Sequence, residues 1–158
     1  MAIEIERKFL VHKERLPRLD GGIRLRQGYL QAESPQVRFR IIDDQVILTV
    51  KTLRKDGSRF EFELVKEKVP AEEQTALEEL AIYPLVEKVR YRIPFAGLVW
   101  EVDLYQGANL GLITVDVELP ALDYPLVFPD WVNAGAEVTA DPRYFNSYLA
   151  RCPYSTWS

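Results

Sequence analysis

The sequence predicts a fold dominated by β-strands, an antiparallel barrel or sandwich in the α+β class. Two observations predict it. Apolar and polar residues alternate with period two in segment after segment, and turn residues separate those segments. Strands are expected over 3–10, 23–30, 37–42, 46–51, 59–65, 86–93, 99–105 and 112–119. The breaks between them fall at Asp20-Gly21-Gly22, Ser34-Pro35, Asp43-Asp44, Asp56-Gly57 and Gly107, residue types that accept tight turns.

Helical signals are few. Pro70-Ala71-Glu72-Glu73 opens a helix expected over 70–81, with Leu77, Leu80 and Ala81 on one face. Asp141-Pro142 reads as an N-cap with proline at the first helical position, and that helix is expected to reach about Ala150. Residues 120–132 hold several prolines and read as irregular cover, and residues 153–158 are expected to fray. The whole chain, 1–158, reads as one domain.

Composition narrows the function. The 158 residues are 47% hydrophobic and 28% charged, enough for a core without covalent staples. The net charge is −4, which argues against a nucleic-acid partner. A single histidine, His12, removes multi-histidine metal centres, and it is expected in an exposed loop. A single cysteine, Cys152, allows no internal disulfide and is expected to be inert. No apolar run is long enough to span a membrane, so no membrane partner is expected. Met1-Ala2-Ile3-Glu4 carries an acid where a signal peptide would carry Lys or Arg, so a cytoplasmic location is expected.

The third observation concerns what the strands carry. Residues i and i+2 share a strand face about 6.5 Å apart, and one face of nearly every strand is charged. Glu4, Glu6 and Lys8 share a face, as do Arg38 and Arg40, then Arg59, Glu61 and Glu63, then Lys88, Arg90 and Arg92. Glu101 and Asp103 form another such pair, Asp116 and Glu118 a further one, and Lys51 ends its strand on the face of Thr49. A sheet with one solvated face alternates in the same way. Against that bland reading, the charged positions are almost purely Glu, Asp, Arg and Lys. Like-charged pairs at i, i+2 also repel unless cations lie between them. Turned inward, these faces would line a wet tunnel, because so many ions cannot sit in a dry barrel interior. Carboxylates without His or Cys suit Mg²⁺ or Mn²⁺, and clustered Arg and Lys suit phosphate. No glycine-rich phosphate loop is present, which favours side-chain capture of a linear polyphosphate.

Glu4-Ile5-Glu6-Arg7-Lys8 resembles the Glu-x-Glu-x-Lys signature of the CYTH superfamily, the triphosphate tunnel metalloenzymes. Further pieces follow in order. They are Gln27-Gly28-Tyr29-Leu30, Arg38-Phe39-Arg40, Leu48-Thr49-Val50-Lys51, Arg59-Phe60-Glu61-Phe62-Glu63 and Lys88-Val89-Arg90-Tyr91. Trp100-Glu101-Val102-Asp103, Gly111-Leu112 and the segment from Val138-Thr139 to Leu149 complete the likeness. The resemblance implies a closed antiparallel eight-stranded barrel tunnel and a divalent-metal-dependent triphosphatase. The short bacterial-type inorganic tripolyphosphatases look nearest.

The resemblance assigns metal to Glu4, Glu6, Glu63, Asp116 and Glu118, and phosphate to Lys8, Arg38, Arg40, Lys51, Arg59 and Arg90. It assigns proton transfer to Tyr29 and Lys88. Asp116 replaces the glutamate usual at its position and is one methylene shorter, which places Glu118 ahead of it as a direct ligand. Alternation leaves the face of Tyr29 open, because Gln27 and Tyr29 oppose Arg24 and Arg26. Glu101 and Asp103 have two readings, as partners of internal arginines or as metal ligands. The rival functions are a class IV adenylate cyclase, a thiamine or nucleoside triphosphatase, and a polyphosphate-binding module without turnover. The outward apolar faces need cover, and a homodimer burying one wall is expected.

Overall fold

The computed structural model describes residues 5–56 and 58–157, with the side chain of Arg59 also outside the described part. Nine antiparallel strands form one sheet. They are β1 (Ile5–Val11), β2 (Ile23–Gln31), β3 (Gln36–Ile42), β4 (Gln45–Leu53), β5 (Arg59–Lys66), β6 (Val86–Phe95), β7 (Leu98–Gln106), β8 (Ile113–Leu119) and β9 (Val132–Glu137). Their spatial order is β5-β4-β3-β2-β6-β7-β8-β1-β9. Two helices accompany them, α1 (Ala71–Glu79) and α2 (Asn146–Arg151).

The strand-dominated antiparallel fold agrees with the sequence, but two details differ. Among the described residues there are nine strands rather than eight, because the covering segment ends in β9. The sheet is curled but not closed, since among the described residues no pairing joins its edge strands β5 and β9. The edge of β1 that would complete a barrel is already occupied. Leu10 and Val11 pair with β9, the Lys8 N–H donates to Thr139 Oγ1 at 2.9 Å, and the Val138 N–H donates to the Lys8 carbonyl at 2.8 Å.

Register puts the charged residues on one continuous concave face. Lys8 stands opposite Asp116, Asp116 opposite Glu101, Asp103 opposite Arg90, Arg38 opposite Thr49 and Thr49 opposite Glu63. Tyr29 stands opposite Arg38 and Gln27 opposite Arg40, so these two share the concave face. Arg24 and Arg26 therefore point outward, where Arg24 pairs with Glu87 and Arg26 binds Glu78 and Gln74 of α1.

The convex face carries much of the core. Phe9, Trp100, Val102, Val115 and Val117 pack beneath Trp131, Tyr124, Leu126 and Phe128, so the proline-bearing segment covers this wall as expected. Each such side chain contributes about 1.5–3 kcal/mol when fully buried. A second cluster joins Phe39, Ile41 and Val46 to Leu77 and Ala81. Leu80, expected on the same helix face, is instead 64% exposed. The residue that turns inward is Gln74, whose side-chain amide donates to the Val69 carbonyl at 2.9 Å. Gly28 has no side chain because a Cβ there would lie 2.4 Å from the Phe39 ring.

The C-terminal helix is shorter than expected. Asp141 accepts from the Arg143 N–H as the cap motif predicts, but the turn 142–144 is a 3-10 helix. Phe145 is extended at φ −74° and ψ 141°, and α2 starts after it. Residues 153–157 are docked on the domain rather than frayed, and Ser158 lies outside the described residues. Trp157 stands edge-on to Tyr144, Tyr148 and Tyr154, and its indole N–H donates to the Cys152 carbonyl at 3.0 Å. His12 is half-buried rather than exposed, with its backbone N–H on the Trp131 carbonyl.

Candidate active site

The curl of the sheet encloses a cavity of about 800 Å³ lined almost wholly by charged groups. Six cations face it: Lys8, Arg38, Arg40, Lys51, Lys88 and Arg90. Four carboxylates join them, Glu6 and Asp116 from β1 and β8 and Glu61 and Glu63 from β5. Asn146, at the start of α2, completes the lining. Parity explains the gathering. Each strand contributes its i, i+2 charges to the same side, and the curl brings the two ends of the strand order to one space.

Asp103 organises the cationic wall. It is fully buried, and its carboxylate accepts from Arg90 Nε at 2.8 Å and Nη2 at 2.9 Å. Lys88 Nζ lies 3.0 Å from the same carboxylate. Burial opposes ionisation of Asp103, but Lys88 and the Arg90 fork outweigh it and hold its carboxyl down to about 2. Glu101 lies 3.7 Å from Arg90 and 3.9 Å from Arg92. Both acids thus pair with internal arginine, the first of their two readings.

Lys88 is 2% exposed. Burial drives its ammonium down to about 8, with Arg90 and Lys8 pushing the same way against Asp103. A lysine tuned this way can accept a proton near neutral pH. Burial likewise lowers Lys51 and Arg40, with Arg38 as a repelling neighbour of each. Tyr29 is buried on the concave face beside the lining residues Arg38 and Arg40, and burial raises its phenol. No hydrogen bond joins Tyr29 to Lys88. Tyr29 is instead tied to Gln27, and Lys88 to Asp103.

The carboxylates of β1 and β8 fit a hard cation. Burial raises Glu6, and the neighbouring Asp116 raises it further. Burial raises Asp116 as well, against the pull of Lys8. Asp116 Oδ1 is buried without a hydrogen-bond partner; Lys8 Nζ, at 3.7 Å, is close enough for attraction and too far for a hydrogen bond. Two mutually repelling carboxylates and an orphaned oxygen are what a divalent ion would relieve. Among the described residues no three such groups already converge as a preformed metal cluster. Glu4 lies outside the described residues. Glu118 is exposed and borders a neighbouring cleft with Arg92 and Glu101, whereas Asp116 faces the main cavity.

Several site residues were not expected from the sequence. Glu61 shares the tunnel face of Glu63 as the alternation predicts, but the resemblance gives it no role. Gln27 and Asn146 are uncharged, so a search for charge passes over them. Tyr105, also missed, donates its hydroxyl to Asn146 Oδ1 at 3.3 Å, and Lys88 Nζ sits 5.4 Å from its ring centre.

The model of the CYTH domain matches residues 2–123. The chain belongs to the CYTH family. An inorganic triphosphatase of Acetivibrio thermocellus is 40% identical over 99% of both chains. An inorganic triphosphatase of Nitrosomonas europaea is 35% identical, covering 93% of this chain and 96% of that one. The crystal structure of the inorganic triphosphatase NE1496 aligns with a TM-score of 0.75 at 32% identity, over 95% of each chain. In this CYTH protein β9, α2 and the docked tail lie beyond the matched region, and Leu149 and Ala150 pack with Tyr29 and Tyr105 of the sheet.

Proposed function

We propose that this CYTH protein is a divalent-metal-dependent triphosphatase. It splits inorganic tripolyphosphate, or a related triphosphate, into phosphate and diphosphate. The observation that carries the reading is the convergence of six cations and four carboxylates on one cavity of about 800 Å³. The named activity of its relatives supports it. In this reading the chain acts as one unit over 1–158, in the cytoplasm.

Lys8, Arg38, Arg40, Lys51, Arg59 and Arg90 hold the phosphate oxygens. Glu4, Glu6, Glu63, Asp116 and Glu118 would hold Mg²⁺ or Mn²⁺. That ion would neutralise phosphate charge and acidify a bound water. Attack by a water oxygen on the terminal phosphorus breaks the bridging P–O bond and releases diphosphate. Lys88 Nζ takes the water's proton, and Tyr29 assists by orientation. Most of the acceleration comes from positioning and charge stabilisation.

Phosphate release from tripolyphosphate with and without Mg²⁺ tests the reading. Metal-dependent release is expected, with Glu6→Gln lowering it by at least about tenfold. A folded protein supplied with metal that releases nothing from tripolyphosphate, thiamine triphosphate, ATP or long-chain polyphosphate would remove the hydrolase reading.

One observation favours an organic triphosphate as second substrate. A mixed cavity of about 340 Å³ shares Lys51 and Glu61 with the charged one and is walled by Leu53, Phe60, Ala32 and Gln36. It could seat the head of a nucleoside triphosphate; a kcat/KM for ATP far below that for tripolyphosphate would dismiss it. A homodimer belongs to the same proposal. Phe60, Phe62 and Leu64 of β5 are 42%, 51% and 57% exposed on the outer face. A monomeric mass by sedimentation at working concentration would count against the dimer.

A further inference from the structure

Gln27 belongs to none of the roles above, yet it is 1% exposed and sits at a junction of the site. Its Oε1 accepts from Arg40 Nε at 3.1 Å and Nη2 at 3.0 Å. Its Nε2 donates to Tyr29 Oη at 3.0 Å. The two halves of the amide are thereby assigned. The carbonyl end must face the guanidinium, which has only donors, so the NH₂ end must face the phenol.

We propose that Gln27 is a positioning residue that holds Arg40 in place without neutralising it and ties the Tyr29 hydroxyl to it as a proton donor. The inference rests on the triphosphatase reading for its kinetic part only.

The contrast with Arg90 supplies the reason. Arg90 is held by the Asp103 carboxylate, which offsets part of its charge as it orients it. Arg40 is held through the same two donors, Nε and Nη2, but both converge on the single oxygen of a neutral amide, so its positive charge remains available to an anion in the cavity. Two of its five N–H bonds go to Gln27, and Nη1 is free of that fork. For Tyr29, the amide N–H occupies a lone pair of Oη, so the phenol's own proton must go to another acceptor. A carboxylate at position 27 would reverse both effects, compensating Arg40 and drawing the phenol proton to itself.

The test uses the full chain with two variants, Gln27→Glu and Gln27→Met, each checked for folding by circular dichroism. Calorimetric binding of tripolyphosphate is the first readout and needs no turnover. Gln27→Glu is expected to weaken binding by about tenfold or more, and Gln27→Met, which loses the hold on Arg40 but leaves its charge intact, by a smaller factor of about threefold. The second readout is kinetic. Gln27→Met is expected to lower kcat by about tenfold with KM nearly unchanged, and to have little effect in a Tyr29→Phe background.

Wild-type binding by Gln27→Glu would overturn the Arg40 half. An equal loss of kcat from Gln27→Met with and without Tyr29 would overturn the Tyr29 half. If the wild-type protein binds tripolyphosphate without hydrolysing it, the enzyme reading and the Tyr29 half fall together, and the binding arm still decides the Arg40 half. If it does not bind tripolyphosphate at all, both proposals fail.

Discussion

Asp103 is the residue on which the cationic wall depends. It is fully buried and partners two cations, Lys88 and Arg90. Removing one member of a buried ion cluster leaves uncompensated charge, which is more damaging than losing a surface pair. Asp103→Ala should lower unfolding free energy by about 3–5 kcal/mol, read from urea denaturation at neutral pH. Asp103, held at about 2 against an ordinary 3.8, contributes stability that is fully present above pH 3.8 and disappears as the pH falls through 2. Lys88 has the opposite effect. Its folded value is near 8 against an ordinary 10.5, so between these limits the unfolded chain holds a proton that the folded chain has released. Stability from this group therefore rises with pH across that window. Wild type should gain on Lys88→Met between pH 7 and pH 10; equal pH dependence would contradict the lowered lysine. If Lys88 is the base, kcat/KM should also climb with an apparent pKa near 8, and Lys88→Arg should lose that limb.

At the scale of elements, α2 and the tail deserve as much weight as the strands. Tyr105 reaches Asn146 at the start of α2, and Leu149 packs beside Tyr29 and Val86 at one end of the concave face. The tail holds this arrangement through Trp157, which is half-buried among three tyrosines. Trp157→Ala should cost about 2 kcal/mol, less than a fully buried aromatic would, measured as a fall in the unfolding midpoint. An unchanged midpoint would show that the tail frays. The strands were readable because each has one charged and one apolar face. β9 was not, since Val132-Asn133-Ala134-Gly135-Ala136-Glu137 has little β-branched or alternating character and exists by pairing with β1. Leu80 misled for a related reason: helical spacing gives a face, but the buried polar contact of Gln74 sets the helix rotation.

At the scale of the molecule, the cavity gathers six cations against four carboxylates. A ligand that binds the native state alone stabilises it in proportion to the logarithm of its concentration over Kd. Tripolyphosphate with Mg²⁺ at about 100 times Kd should add about 2.7 kcal/mol and raise the unfolding midpoint by several degrees. Orthophosphate at the same concentration should do much less, because it reaches fewer of the six. Equal shifts would mean that the cavity binds anions without regard to chain length.

The sequence by itself determined the first eight strands, the charged faces and the chemistry those faces call for. Period-two alternation is local, and so are the i, i+2 pairs from Glu6 and Lys8 to Asp116 and Glu118. Only the tertiary structure decided whether Tyr29 or Arg24 turns inward, because both choices satisfy the alternation and only the pairing of β2 with β3 distinguishes them. It also decided that Asp116 lines the main cavity while Glu118 lines the cleft beside it, and that β9 occupies the edge β1 would need to close a barrel. Gln27 became visible last. Its role lies in which partners its two amide ends meet, and those partners come from β2 itself and from β3 beside it.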